Sequence, residues 1–168
     1  NYFDIYVGMV TGCESVFKNE TFGTINILNK KDTIDKYIMT NVFPTTNHDI
    51  DTYLLEHKEK LIGRKIRRFN ESNWFEWGAL RNYDNVTSRL GEDCIYIHTL
   101  TRDTEVAFVD KVTYFGGGLI ALIPKKDSPR KLDLNKVVRF INSIQFRENY
   151  IYSNRFKVGQ RQLCNSNI

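Results

Sequence analysis

Residues 63–82 read GRKIRRFNESNWFEWGALRN, with Arg64, Lys65, Arg67 and Arg68 in a run of five, then Trp74, Phe75 and Trp77, then Arg81 and Asn82. A second basic group, Lys125, Lys126, Arg130 and Lys131, follows an apolar run that starts from Gly116-Gly117-Gly118. A third, Asn154, Arg155, Lys157, Gln160, Arg161 and Gln162, lies in NRFKVGQRQL. Lysine and arginine meet phosphate groups as charge, whereas arginine against guanine and Asn or Gln against adenine form two-pronged contacts with base edges. The third group mixes both types, which favours readout of a duplex over attraction by charge alone. Each feature also has a plainer reading. The run from Arg64 to Arg68 suits an edge strand with Ile66 and Phe69 inward and its cations in water. The tryptophans suit packing. The triple glycine suits a turn, a bulge or a close approach of backbone or ligand.

Catalytic patterns are absent. His48, His57 and His98 have no neighbours at metal-ligand spacing, and the carboxylates are scattered. There is no GxSxG, no P-loop and no dinucleotide fingerprint, since the triple glycine leads into a strand. Cys13, Cys94 and Cys164 are odd in number and form no CxxC pair, which fits a reducing cytoplasm better than a disulfide framework or a zinc site. The sequence therefore predicts no metal and no cofactor bound by this chain.

The elements that must position the basic groups belong to one domain over residues 1–168. Apolar residues at 41% and charged residues at 26% describe a water-soluble globular chain, and the net charge of +4 permits a polyanionic partner without requiring one. No apolar run approaches the roughly 20 residues that cross a bilayer. The chain opens on Asn1 rather than methionine, which predicts a piece of a longer protein. Helices are expected over 49–62, with Ile50, Tyr53, Leu54, Leu61 and Ile62 in one stripe and Gly63 at the stop. Another is expected over 133–146, capped by Asp133, with Val137, Val138, Ile141 and Ile144 buried. YFDIYVGMV, FGTINIL, DCIYIHTL, TEVAFVDKVTY and GGLIALIP read as strands. The last three, joined by short connections, predict an antiparallel meander. The fold class is α+β: a mixed, mainly antiparallel sheet with at least two packed helices.

Four strings in order carry a family likeness: FDIYVGMVTGCESVF (3–17), EHKEKLIGRKIRRFNESNWFEWGALRN (56–82), CIYIHTLTRDTEVAFVDKVTYFGGGLIALIP (94–124) and SNRFKVGQRQL (153–163). Leu132, Asp133, Val137, Asn142 and Ser143 add an L-D-x-x-x-V-x-x-x-x-N-S pattern. The chain resembles the C-terminal target-recognition domain of TaqI-like adenine-specific DNA methyltransferases from bacterial type II restriction–modification systems. The resemblance implies methyl transfer from S-adenosylmethionine to the exocyclic amino group of an adenine rotated out of the duplex. The family's glycine-rich cofactor motif and Asn/Asp-Pro-Pro-Tyr/Phe motif are not in this chain, whose prolines, Pro44, Pro124 and Pro129, are never adjacent. A catalytic domain is thus expected before Asn1, and S-adenosylmethionine only in the full-length protein.

By the same resemblance, double-stranded DNA is clamped between the two domains, with no membrane partner. Thr11 and Gly12 of the VTG loop and the stretch from Arg64 to Asn82 would face the cleft. Arg64, Arg67 and Arg68 would meet phosphates, with Lys65, Lys125, Lys126 and Lys157 as further DNA contacts. Arg81, Asn82, Arg155, Gln160 and Arg161 would lie near base edges, and the tryptophans would support the loop. The alternative family is the recognition half of a type I specificity subunit, which a following spacer helix would mark. Either reading requires the three basic groups to converge on one wall.

Overall fold

The computed structural model describes residues 2–128, 131–166 and 168; Arg130 of the second basic group lies outside them. In chain order the elements are β1 (Phe3–Val7), α1 (Glu14–Phe17), β2 (Ile25–Lys30), β3 (Thr33–Tyr37), α2 (His48–Glu56), α3 (Lys58–Ile62), α4 (Tyr83–Thr87), β4 (Asp93–His98), β5 (Leu100–Thr101), β6 (Ala107–Lys111), β7 (Leu119–Pro124), α5 (Leu134–Ile141), α6 (Ile144–Arg147), β8 (Ile151–Tyr152), β9 (Arg155–Lys157) and α7 (Gln160–Cys164). The fold is α+β. The main sheet has the order β1-β7-β4-β6 with every neighbour antiparallel. β2 and β3 pair as a separate hairpin, and β5, β9 and β8 form a small third sheet.

The apolar runs CIYI and LIALI became the central strands β4 and β7, because only there are both faces of a strand covered. Ile95, Ile97, Ile120 and Leu122 point into a core built with Phe3, Ile141, Phe146, Phe156 and Leu163. Cys94, Tyr96, Ala121 and Ile123 point the other way, against Val86, Phe108, Val112 and Phe115. A third cluster, around Phe17, Tyr37, Leu54, Leu61, Trp74 and Trp77, lies beyond the end of β1.

Antiparallel pairing agrees with the sequence reading; the meander does not. β7 pairs with β4 on the side away from β6. The connection through residues 112–118 is long enough to cross the end of β4. It is held by burial of Val112 and Phe115 and by bridges from Leu28 to Phe115 and from Met9 to Gly116. The triple glycine serves this crossing: a Cβ on Gly8 would collide with the Gly116 carbonyl, and one on Gly117 would stand 2.7 Å from Val10 Cγ1.

Both sequence helices are present, and both are broken. Asn47 caps α2, accepting from the Asp49 and Ile50 N–H groups, and the first helix divides at His57 into α2 and α3. Asp133 caps α5 as expected, but the second helix divides at Asn142-Ser143. The break resets the helical phase, so Phe146 turns inward while Ile144, expected in the buried stripe, is 64% exposed. Asn142 is drawn from the helix to the sheet edge. Its Oδ1 accepts from the Val106 and Ala107 N–H groups at 2.8 and 2.9 Å, and its Nδ2 donates to the Ala107 carbonyl at 3.1 Å. Ser143 then caps α6.

Candidate nucleic-acid interface

The loop from Arg64 to Phe69 has no strand pairing, so it is not an edge strand. Its cations divide into two kinds. Arg64 is buried, donating to the carbonyls of Leu61, Thr11 and Trp74 at 2.9, 2.6 and 2.8 Å. Burial, with a smaller contribution from the Arg67 charge, pushes its pKa down to about 10, so it stays protonated at neutral pH. Arg67 donates to the carbonyls of Gly78 and Trp77, both at 2.8 Å, and pairs with Glu76 at 3.4 Å. Phe69 is buried beneath both guanidinium groups, 3.7 and 4.6 Å from its ring centre. Lys65 and Arg68 face solvent and, among the described residues, form no ion pair. The tryptophans are packing residues: both are buried, and the Trp77 indole donates to the Ile38 carbonyl at 2.7 Å.

Thr11 is buried as well. Its carbonyl accepts from Arg64 and from the Gly78 N–H, and its hydroxyl accepts from the Cys13 N–H. It shapes the loop and presents no side chain to a partner.

Arg81 and Asn82 stand at the outer edge of β1. Asn82 Oδ1 accepts from the Val7 N–H at 2.9 Å. Two residues back along the same edge, Gln160 Nε2 donates to the Ile5 carbonyl at 2.8 Å. The two amide side chains thus close the unpaired edge of the sheet, which would otherwise invite another strand. Both groups needed for a two-pronged adenine contact cannot be offered while these bonds stand. The same bonds bring exposed Arg81 and Arg161 to one edge. Arg81 adopts a left-handed backbone (φ +48°), and its guanidinium donates to the Gly8 carbonyl at 3.1 Å.

The small third sheet joins the same end of the molecule. The Thr99 N–H donates to Gly118 and its carbonyl accepts from Val158, each at 3.0 Å. The register pairs Leu100 with Lys157 and Tyr152 with Arg155, so these four side chains share one face. Lys157 lies 4.9 Å from the Tyr152 ring centre, and Tyr152 is 62% exposed. Arg155 Nε is buried without a hydrogen-bond partner among the described residues. Tyr152 was not among the sequence candidates. The signal was the hairpin pattern IYSNRFK, whose turn residues Ser153 and Asn154 both have positive φ.

The second group is elsewhere. Lys125 follows Pro124, which pairs with Phe3 at the start of β1, and its N–H donates to Tyr2. Lys125 and Lys126 therefore stand at the opposite end of β7 from the glycines, roughly 17 Å away at strand rise. Exposed Lys131 follows them in the chain and, with Lys125, lines a hollow there. The second group therefore stands at the opposite end of the main sheet from Arg81 and the small third sheet.

Among the described residues no cluster of His, Cys, Asp or Glu could hold a metal, and no helix is long and apolar enough to cross a membrane. Cys94 is fully buried, which pushes its pKa up to about 12 and keeps the thiol protonated.

No family model matches the chain. Over 122 residues, 71% of its length, it is 30% identical to the type II methyltransferase M.MjaIV of Methanocaldococcus jannaschii, and the match spans 39% of that protein. The chain is thus related to part of a type II methyltransferase, less than half of that protein's length.

Proposed function

We propose that this chain is the DNA target-recognition part of an adenine-specific methyltransferase in a restriction–modification system. It supplies specificity, while a catalytic domain elsewhere in the parent protein binds S-adenosylmethionine and transfers the methyl group in the cytoplasm. The observation that carries the reading is the gathering of exposed cations from two distant sequence segments at one end of the main sheet. The relation to a type II methyltransferase supports it. A flipped adenine requires a duplex held in fixed register while one base leaves the stack. Lys65 and Arg68 would grip phosphates on one side, and Lys157 and Arg155, beside Tyr152, on the other. Arg81 and Arg161 would reach base edges. Arg64, Arg67, Asn82 and Gln160 act behind them as positioning residues, fixing the loop and the strand edge. Lys125, Lys126 and Thr11 have no part in the contact.

Fluorescence anisotropy across a salt series tests this. Duplex affinity should fall linearly on logarithmic axes. Changing Lys65 and Arg68 together to Ala should reduce the slope by about two on every sequence, at roughly 0.9 per phosphate neutralised. Arg161→Ala should instead alter preference at one or two base pairs, by ~1–3 kcal/mol each. A flat salt response, or a double variant indistinguishable from the parent, sinks the proposal. Adenine as target is checked separately, by sequencing the methylation that the full-length protein leaves on DNA.

A further inference from the structure

The loop that carries Lys65 and Arg68 also exposes Ile66, an aliphatic side chain 44% accessible between two free cations. Single exposed apolar residues need no explanation. Ile66 differs in how it is held. Its Cγ2 and Cδ1 lie over bare backbone: a Cβ on Gly78 would stand 2.7 and 2.8 Å from them, and one on Gly12 2.9 Å from Cγ2. Gly12 has φ +81°, a conformation that glycine adopts without strain. Arg64, Arg67 and Phe69 pin the loop from behind. A β-branched side chain has few rotamers to begin with. Two glycines therefore leave a seat, and the residue in it is fixed with its free surface outward.

We propose that Ile66 reads the 5-methyl group of a thymine in the major groove. This rests on the DNA-recognition reading above and adds one base contact to it. An isoleucine offers no hydrogen bond, so it cannot distinguish donor and acceptor patterns. The aliphatic feature that a duplex presents in its major groove is the thymine methyl. Exposed Lys65 just before Ile66 and Arg68 two residues after it match the phosphates that border the groove.

The test needs no knowledge of the site in advance. A preferred duplex is selected from a random pool with the intact chain, and each thymine is then replaced singly by uracil, which removes only the methyl. One replacement should weaken binding about fourfold, the value of one methyl group withdrawn from an apolar contact. Ile66→Ala should bind the thymine and uracil duplexes alike at that position, with the salt slope unchanged; Ile66→Val should keep part of the difference. Indifference of the parent chain to every replacement overturns the inference and leaves DNA recognition standing. So does a selected site without thymine, or full discrimination by Ile66→Ala. Absence of salt-dependent binding would instead remove the recognition reading, and this contact with it.

Discussion

Arginine and lysine count equally in a sequence, but burial separates what they can do. Arg64 sits in the densest basic run and faces inward, its buried guanidinium bonded to three carbonyls, of which that of Thr11 also accepts from the Gly78 N–H. Losing a buried acceptor's donor costs ~1–3 kcal/mol, and truncation also removes the guanidinium from the Phe17 and Phe69 rings. Arg64→Ala should therefore destabilise the fold by about 2–3 kcal/mol in urea denaturation, whereas Arg68→Ala should stay within about 0.5 kcal/mol, as exposed substitutions do. If Arg64→Ala were stability-neutral yet lowered the DNA salt slope, the assignment of Arg64 to the loop's scaffold would be wrong. The same division applies to the amides: Asn82 and Gln160 look like base readers in the sequence and close a strand edge in the fold.

At the scale of elements, the main sheet manages its two edges in one way, with side-chain amides standing in for missing strands. On β6 the work falls to Asn142, and it sets where α5 ends, because a residue bonded to a strand edge cannot also continue the helix. Asn142→Ala should leave two N–H groups of residues 106 and 107 without acceptors and cost roughly 2–4 kcal/mol. Asn142→Asp, which keeps the acceptor oxygen and loses the donated bond, should fall in between. Equal stability of all three proteins in denaturant would show that the edge does not depend on this residue. The N-S pair of the sequence pattern is thus structural: one residue pairs with a strand, the next caps a helix.

For the molecule as a whole, the ends of the main sheet differ. One gathers Arg81, the loop of Lys65 and Arg68, and the hairpin of Arg155 and Lys157; the other holds Lys125 and Lys126. The proposed contact uses the first end alone. Changing Lys125 and Lys126 to Ala should accordingly leave the salt slope of DNA binding as it was, while the Lys65 and Arg68 double variant lowers it. Equal losses from both pairs would mean that the interface extends along the sheet rather than across one end.

The sequence alone was enough for the α+β class, for strands within or overlapping the runs at 2–10, 22–28 and 93–124, the cap at Asp133 and the packing role of the tryptophans. These follow from local forces: side-chain periodicity, capping chemistry and the size of aromatic surface. Tertiary structure alone decided that β7 lies across β4 from β6, that the second helix breaks at Asn142, and that Arg64 and Thr11 are interior. It also decided that Lys125 and Lys126 stand at the other end of the main sheet from Arg81. Each of these turns on a hydrogen-bond partner dozens of residues away in the chain, such as Arg64 on Thr11 or Gln160 on Ile5. Spacing along a sequence carries no record of which distant carbonyl a side chain will meet, because that is fixed only when the strands have paired.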